Sequence, residues 1–309
     1  MPQPAVVKHL LAEFASRRPI RTTSLIITLF GDVVSQHGGT IWLGSLVEAL
    51  APFGISDRLV RTSVFRLVRE GWLEAERVGR RSYYRFTPYG THEYERAARR
   101  IYALKQKHWN GHWQLLIPLD IPDKSREPFR RSLHWQGFRA IAPGTFAKPG
   151  EGGSALLQIL QEFDAVDRVL LMEADSSDLS SEQVLRRLVN ECWQLDEVAH
   201  GYRHFLAHFK PLHQWLLRHP EPEPQAAFIA RTLLVHDYRR ILLQDTHLPE
   251  ALLPPGWPGE RVLQLTGAAY RALAEPSVAY ITRELESGNG RMPPPVDAFW
   301  SRFQSVAPD

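Results

Sequence analysis

The stretch from Ser56 to Arg85, SDRLVRTSVFRLVREGWLEAERVGRRSYYR, constrains the fold more than any other. Ser56 is placed to cap a helix, its hydroxyl accepting an orphan backbone N–H of the first turn. Asp57 follows where the helix dipole favours a carboxylate. Val60, Val64, Leu67 and Val68 recur at i, i+4, i+7 and i+8 and form one apolar face. Arg58, Arg61, Thr62, Phe65, Arg66 and Arg69 fall on the other side. Gly71 ends the helix, because glycine tolerates the left-handed conformation just past a last turn. Trp72 to Val78 and Ser82 to Phe86 then read as two strands, with Gly79-Arg80-Arg81 as a basic tip. Upstream, Thr23 to Val34 reads as an apolar helix. Ile41 to Leu50 (IWLGSLVEAL) reads as a brief strand running into a short helix, and Ala51 to Ile55 as a turn. Helix, turn, arginine-faced helix and basic hairpin together spell a winged helix-turn-helix, a DNA-binding module. Its contact candidates are Arg58, Arg61, Thr62, Ser63, Arg66 and Arg69 on the helix, and Arg80, Arg81 and Tyr83 on the hairpin. Arginine suits this task because its planar fork meets guanine or phosphate with two hydrogen bonds.

Charge distribution agrees. The net charge of +3 conceals a division: residues 1–110 carry 17 Lys+Arg against 9 Asp+Glu, and the remainder 20 against 25. A basic amino-terminal third on an acidic body fits a polyanion docking at that end. Cys192 is the single cysteine, which excludes an intrachain disulfide and fits a reducing cytoplasm. No apolar run has the length of a membrane span, and the amino terminus carries no signal-peptide core, its short apolar stretch being broken by Glu13.

Along the chain, residues 1–20 read as a short helix or loose arm. Residues 21–88 form the DNA-binding module, and residues 89–110 a connecting helix. Residues 111–176 change character: Trp113 to Leu119 is a strand, Lys124 to Gln136 a helix, Phe138 to Ala142 and Thr145 to Lys148 two strands, Ser154 to Phe163 a helix and Arg168 to Ala174 a strand. That βαββαβ order is ferredoxin-like. Residues 177–309 read as helical. Their helices are expected at Ser181–Gln194, Leu195–Leu217 with a break near Pro211, Pro224–Gln244 and Arg261–Glu275, and the tail after Gly288 as a loosely held extension. The fold class is therefore α+β in three parts.

Three stretches carry a family resemblance: SLIITLFGDVVSQHGGTIWLGSLVEAL, VRTSVFRLVREGWLEAERVGRRSYYRFTPYG and LVHDYRRILLQDTHLPEALLPPGWPGERV. Together they resemble the PaaX-type repressors of phenylacetic acid degradation, over nearly the whole chain. The resemblance implies a winged helix, a middle domain similar to the small CRISPR-associated ferredoxin-like nucleases, and a helical carboxyl-terminal domain. It also implies a dimeric repressor, not an enzyme, released from its operator by phenylacetyl-coenzyme A. The effector rests on the resemblance alone.

An acyl-CoA needs cations or helix-start amides for its phosphates and an apolar pocket for its ring. Lys148 and the glycine turn with Gly152 and Gly153 offer the first, as do His236, Arg239 and Arg240; Trp193, Tyr202 and Trp257 offer the second. The glycine turn equally reads as a plain strand-to-helix connection, lacking the Lys-Ser/Thr of a P-loop. His200, His204 and His208 share a helix face at i, i+4 and i+8, yet lack the H-E-x-x-H pattern, so neither metal nor cofactor is expected. Asp120 follows the first ferredoxin-like strand without a second carboxylate cluster, and no nucleophile–base arrangement stands out. The competing functional class is a nucleic-acid enzyme or RNA-binding protein acting through the middle domain.

Overall fold

The computed structural model describes residues 3–17, 21–102, 109–150, 153–175, 182–246 and 248–304. Two compact units emerge. One gathers Met1–Leu104, Tyr202–Leu242 and Gly259–Asp309, the other Lys105–Gly201 and Leu243–Pro258. This partition differs from the five segments expected above. The arm and residues 89–104 of the expected connecting helix belong to the first unit, residues 105–110 to the second, and the carboxyl-terminal region is shared between both.

In the first unit, α1 (Ala5–Ser16) buries Val7, Leu10 and Phe14. Arg17 then donates two bonds to Asp237 at 2.5 and 2.6 Å. These contacts make the amino-terminal segment an integral helix instead of a loose arm. α2 (Thr22–Asp32), β1 (Ile41–Trp42), α3 (Leu43–Leu50), α4 (Asp57–Arg69), β2 (Leu73–Val78) and β3 (Arg81–Phe86) follow in the expected order. The strands form an antiparallel sheet in the order β1-β3-β2. α5 (Pro88–Tyr102) is more than a connector, since Tyr94, Ala97 and Ile101 are buried. Tyr94 lies so close to α2 that a Cβ on Gly31 would sit 1.8 Å from its Cε2. Only glycine permits that approach.

The second unit carries β4 (His112–Pro118), α6 (Asp123–Trp135), β5 (Arg139–Ala142), β6 (Thr145–Pro149), α7 (Ser154–Glu162), β7 (Val169–Asp175) and α8 (Glu182–Trp193). Its sheet order is β5-β6-β4-β7 and every pairing is antiparallel, so the expected βαββαβ arrangement is present. Alternation along β4 separates two cores. Leu116 packs with Phe129, Leu133, Phe146 and Leu156. Trp113 packs on the other side with Val189, Trp193, Leu248 and Leu252.

α9 (Leu195–Arg218) passes through Pro211 without the expected break. The proline removes one backbone donor, while Phe205, Phe209, Leu212 and Leu216 keep the same helix face buried on both sides of it. α10 (Pro224–Leu242) is the axis of the first unit, buried continuously from Ala226 to Tyr238. α11 (Gly259–Glu284) likewise runs on through Pro276. A small hairpin, β8 (Glu286–Ser287) and β9 (Gly290–Arg291), and the short α12 (Asp297–Trp300) complete the described chain. The tail is firmly docked, contrary to expectation. Met292, Phe299 and Phe303 are buried, the Val296 N–H donates to the Gln36 carbonyl at 3.0 Å, and His37 Nδ1 bonds the Pro293 carbonyl at 2.7 Å.

The deepest polar group in this unit is Asp32, at the end of α2. It accepts from Arg231 Nε at 3.0 Å, Arg302 Nη1 at 2.8 Å, the Tyr102 hydroxyl at 2.9 Å and the Tyr270 hydroxyl at 3.0 Å. Burial alone would raise its pKa, but Arg231, Arg302 and the two hydroxyls together hold it below the usual carboxylate value. Burial lowers His37 to about 4, so its imidazole is neutral.

Candidate nucleic-acid interface

α4 is built as the sequence suggests. Ser56 Oγ accepts the Leu59 N–H at 3.4 Å, Asp57 occupies the first turn, and Gly71 adopts a φ of +76°. Val60, Ser63, Val64 and Leu67 are buried, and Arg58, Arg61, Thr62, Phe65, Arg66 and Arg69 are exposed. Burying the three aliphatic side chains contributes about 1.5–3 kcal/mol each, which fixes the roll of the helix and so determines which side faces outward. Ser63 is therefore corrected: the buried stripe is wider than the i, i+4 pattern, and its side chain turns inward.

The arginines differ in state. Arg61 is bonded to Asp57 at 2.6 Å and Arg66 to Glu70 at 2.7 Å, both exposed i, i+4 pairs. Such pairs are worth at most about 1 kcal/mol, so a phosphate or a guanine edge can displace either carboxylate. Among the described residues, Arg58, Arg69 and Arg80 have no ion-pair partner. Thr62 donates to the Arg58 carbonyl at 2.8 Å, along the helix.

The hairpin turns more tightly than expected. Val78 pairs with Arg81, so the tip is Gly79-Arg80, with Gly79 at a φ of +61°. Arg81 belongs to β3 and is engaged elsewhere. It donates to Glu286 at 2.7 Å and its guanidinium lies 4.3 Å from the Trp42 ring centre. Tyr83 pairs across the sheet with Trp42 and is 7% exposed. Its place among the contact candidates is thus corrected, because the sheet presents it to the core. Arg77 and Arg85 are further exposed cations on the hairpin; Arg85 is paired with Glu74 at 2.7 Å. The exposed members of the expected set are Arg58, Arg61, Thr62, Arg66, Arg69, Arg80 and Arg81, with Phe65 in the midst of the helical arginines.

Three family models match in succession: PaaX-like protein over residues 21–90, PaaX protein central Cas2-like domain over 106–185, and PaaX-like protein C-terminal domain over 193–283. The chain is also 38% identical over 287 residues to the transcriptional repressor PaaX of Escherichia coli (strain K12), covering 92% of this chain and 90% of that one. The chain belongs to the PaaX family. An uncharacterized protein of Mycobacterium tuberculosis shares the fold, with a TM-score of 0.54 and 21% identity, covering 80% of this chain and 94% of the other. The first family model spans α2 through the hairpin, so the arginine face lies within it.

The effector candidates are placed differently from the arginines. Lys148, Gly153, Trp193 and Trp257 lie in the second unit, whereas Tyr202, His236, Arg239 and Arg240 lie in the first; Gly152 lies outside the described residues. Most serve packing. Trp193 is buried and donates to the Gly137 carbonyl at 3.3 Å, and Trp257 packs against the same core. Tyr202 is buried. His236 Nδ1 lies 3.2 Å from the Thr28 hydroxyl, to which Arg239 also donates at 3.2 Å. Burial lowers His236 to about 4. Lys148 Nζ lies 5.7 Å from the Phe138 ring centre, and Arg240 is exposed. A shallow depression between the hairpin and α5, lined by Glu74, Arg85, Phe86, Thr91, His92 and Glu95 among others, contains none of these candidates.

His200 and His204 are exposed, and His208 is buried between Glu13 and Asp237. Among the described residues no group of three His, Cys, Asp or Glu side chains is arranged to hold a metal ion, and none of their helices is long and apolar enough to cross a membrane. The sequence pattern missed the Asp32 cluster and the Arg17–Asp237 pair, whose partners lie 199 and 220 residues apart for Arg231 and Arg17 respectively. The one local signal was an acid closing the otherwise apolar helix TTSLIITLFGD.

Proposed function

We propose that the protein is a DNA-binding transcriptional repressor of phenylacetate-catabolism genes, gripping its operator as a homodimer through a winged helix-turn-helix. In this reading α4 is the recognition helix, entering the major groove, and the β2–β3 hairpin is the wing, with Arg80 on the phosphate backbone. The observation that carries the reading is the sidedness of α4: aliphatic residues buried on one side, and Arg58, Arg61, Arg66 and Arg69 exposed on the other. The relation to a protein named as a transcriptional repressor supports the same conclusion. One recognition helix covers too few base pairs for genomic specificity, and a two-fold dimer supplies the second half-site.

The effector belongs to the same proposal: an aryl-acetyl-CoA such as phenylacetyl-CoA binds outside the DNA-reading face and lowers operator affinity. Lys148, Gly152, Gly153, Trp193, Tyr202, His236, Arg239, Arg240 and Trp257 remain its candidates, although burial of several implies that the ligand acts through rearrangement. Release requires unequal affinity for the DNA-competent and incompetent states, so operator and thioester must weaken each other equally. Gel shift on DNA upstream of the protein's own gene neighbourhood tests the first part. Retardation is expected, and unchanged affinity in the Arg61→Ala, Arg80→Ala double variant would overturn the interface. Calorimetry with phenylacetyl-CoA, free phenylacetate and coenzyme A tests the second. Equal thioester affinity with and without operator would rule out coupling.

A further inference from the structure

Phe65 is the most exposed large apolar side chain of α4. Its side chain is 70% exposed, at the middle of α4 and on the side opposite Val64 and Leu67. Arg61 and Thr62 stand one turn before it and Arg69 one turn after, at helical spacing. A single exposed apolar side chain is ordinary on a protein surface. Here, however, it sits at the centre of a guanidinium face that, on the reading proposed above, meets a polyanion. A phenyl ring gains nothing from phosphate, and it can neither donate to nor accept from a base edge. The major groove offers one apolar group among its donors and acceptors, the C5 methyl of thymine.

Resting on that reading, the geometry points to Phe65 as a specificity residue that packs against a thymine methyl, so that the operator half-site carries a thymine flanked by positions read by arginine. Phe65 then discriminates T·A from C·G at its position by contact, while the arginines supply affinity and hydrogen-bond readout. Leu59, 39% exposed one and a half turns earlier, lies nearer the start of the helix and does not share that central place.

The test uses the whole protein and a duplex it selects from a random pool. Each thymine is replaced singly by deoxyuridine, which deletes only the methyl group. Wild-type protein should lose about four-fold in affinity at one thymine per half-site, the equivalent of one methyl-sized apolar contact. The Phe65→Ala variant, unburdened by any folding role for this exposed ring, should bind more weakly and be indifferent to that substitution. Phe65→Leu should retain part of the sensitivity. The salt dependence of binding should be the same in Phe65→Ala as in wild type, because no phosphate contact is removed. Failure to select any duplex would refute the repressor reading itself. Salt-dependent, sequence-selective binding in which no thymine methyl matters, or in which Phe65→Ala keeps the wild-type response to deoxyuridine, would overturn the role of Phe65 and leave the repressor reading intact.

Discussion

Replacing Asp32 with asparagine preserves shape and removes one buried negative charge, leaving Arg231 and Arg302 facing each other without a counter-ion. Arg231 is 0% exposed and its Nη1 has no partner among the described residues, so it has no second carboxylate to turn to. Removing one member of a buried ion pair costs about 3–5 kcal/mol. Here two guanidinium groups depend on the same carboxylate, and two tyrosine hydroxyls lose a charged acceptor, so the upper end of that range is expected. With a urea m-value near the top of the ordinary range, about 3 kcal/mol/M, the midpoint of the first unit's transition should fall by about 1.5 M. Arg302→Met should cost less than half as much, because Arg231 still neutralises the carboxylate. The double variant should be more stable than the sum of the two losses predicts, by at least about 1 kcal/mol. The acid limb carries the same information. Asp32 is depressed in the folded state, so its contribution is complete above the unfolded value near 3.9 and disappears as pH falls through the folded value. That portion should be missing from Asp32→Asn. The measurement is urea unfolding by circular dichroism and fluorescence, from neutral pH to below 4. A loss under about 1 kcal/mol, or strict additivity with Arg302→Met, would refute the claim that this carboxylate organises the unit.

Three other outcomes follow from the same structure. Gly31→Ala should destabilise by about 1–3 kcal/mol despite better helix propensity, because the new methyl meets the Tyr94 ring at 1.8 Å; thermal unfolding checks it, and a stabilised variant would contradict the packing of α5 on α2. His37 and His236 both sit near 4 instead of 6.5. The unfolded chain therefore takes up their protons first, and each should remove about 3 kcal/mol of stability as pH falls from about 6.5 to 4. His236→Gln should flatten part of that slope in urea midpoints measured across the interval. Arg80→Ala should weaken binding to every duplex alike and reduce the slope of log affinity against log salt by about one unit; a change confined to one base position would move Arg80 from backbone contact to base readout.

Local chemistry made α4 and the hairpin legible. A capping serine, a following acid, a spaced aliphatic set and a terminating glycine each act within a few residues, and each is found doing so. The βαββαβ order was legible for the same reason, since turns such as Pro143-Gly144 separate short periodic runs. Orientation was harder. The alternation of RSYYRF does not say which side faces the core, and only pairing of Tyr83 with Trp42 of β1 decides it. The same holds for Arg81, whose partners Glu286 and Trp42 come from elsewhere in the chain. Illegible altogether were the docking of α1 and of the tail. Their few apolar residues look like weak helices or extensions until α10 and α2 provide the surfaces they cover. α10 misled most. His236, Arg239 and Arg240 read as ligand groups, whereas His236 is buried and, with Arg239, bonds the Thr28 hydroxyl of α2, and only Arg240 of the three is exposed.

That burial bears on the proposed release of DNA. α2 is the first helix of the module proposed to read DNA, yet its closing carboxylate is held by side chains from α5, α10, α11 and the tail. Thr28, one turn earlier, is held by His236 and Arg239 of α10. Movement of α10 relative to α2 must either carry α2 along or break a charge-assisted, fully buried network at several kcal/mol. A ligand shifts an equilibrium only by its differential affinity, typically about 1–3 kcal/mol of coupling. Breaking the Asp32 network exceeds that, so carrying α2 along is the less costly path. If the proposed effector displaces α10, α2 therefore moves with it as a rigid partner, together with the helices packed on α2. Disulfide cross-linking of α2 to α10 should accordingly leave the response to the proposed effector intact, whereas a cross-link that fixes β3 of the hairpin to the tail hairpin through the Arg81–Glu286 contact should abolish it. If the α2–α10 cross-link alone silences the response, the two helices separate during release and the rigid-partner argument fails.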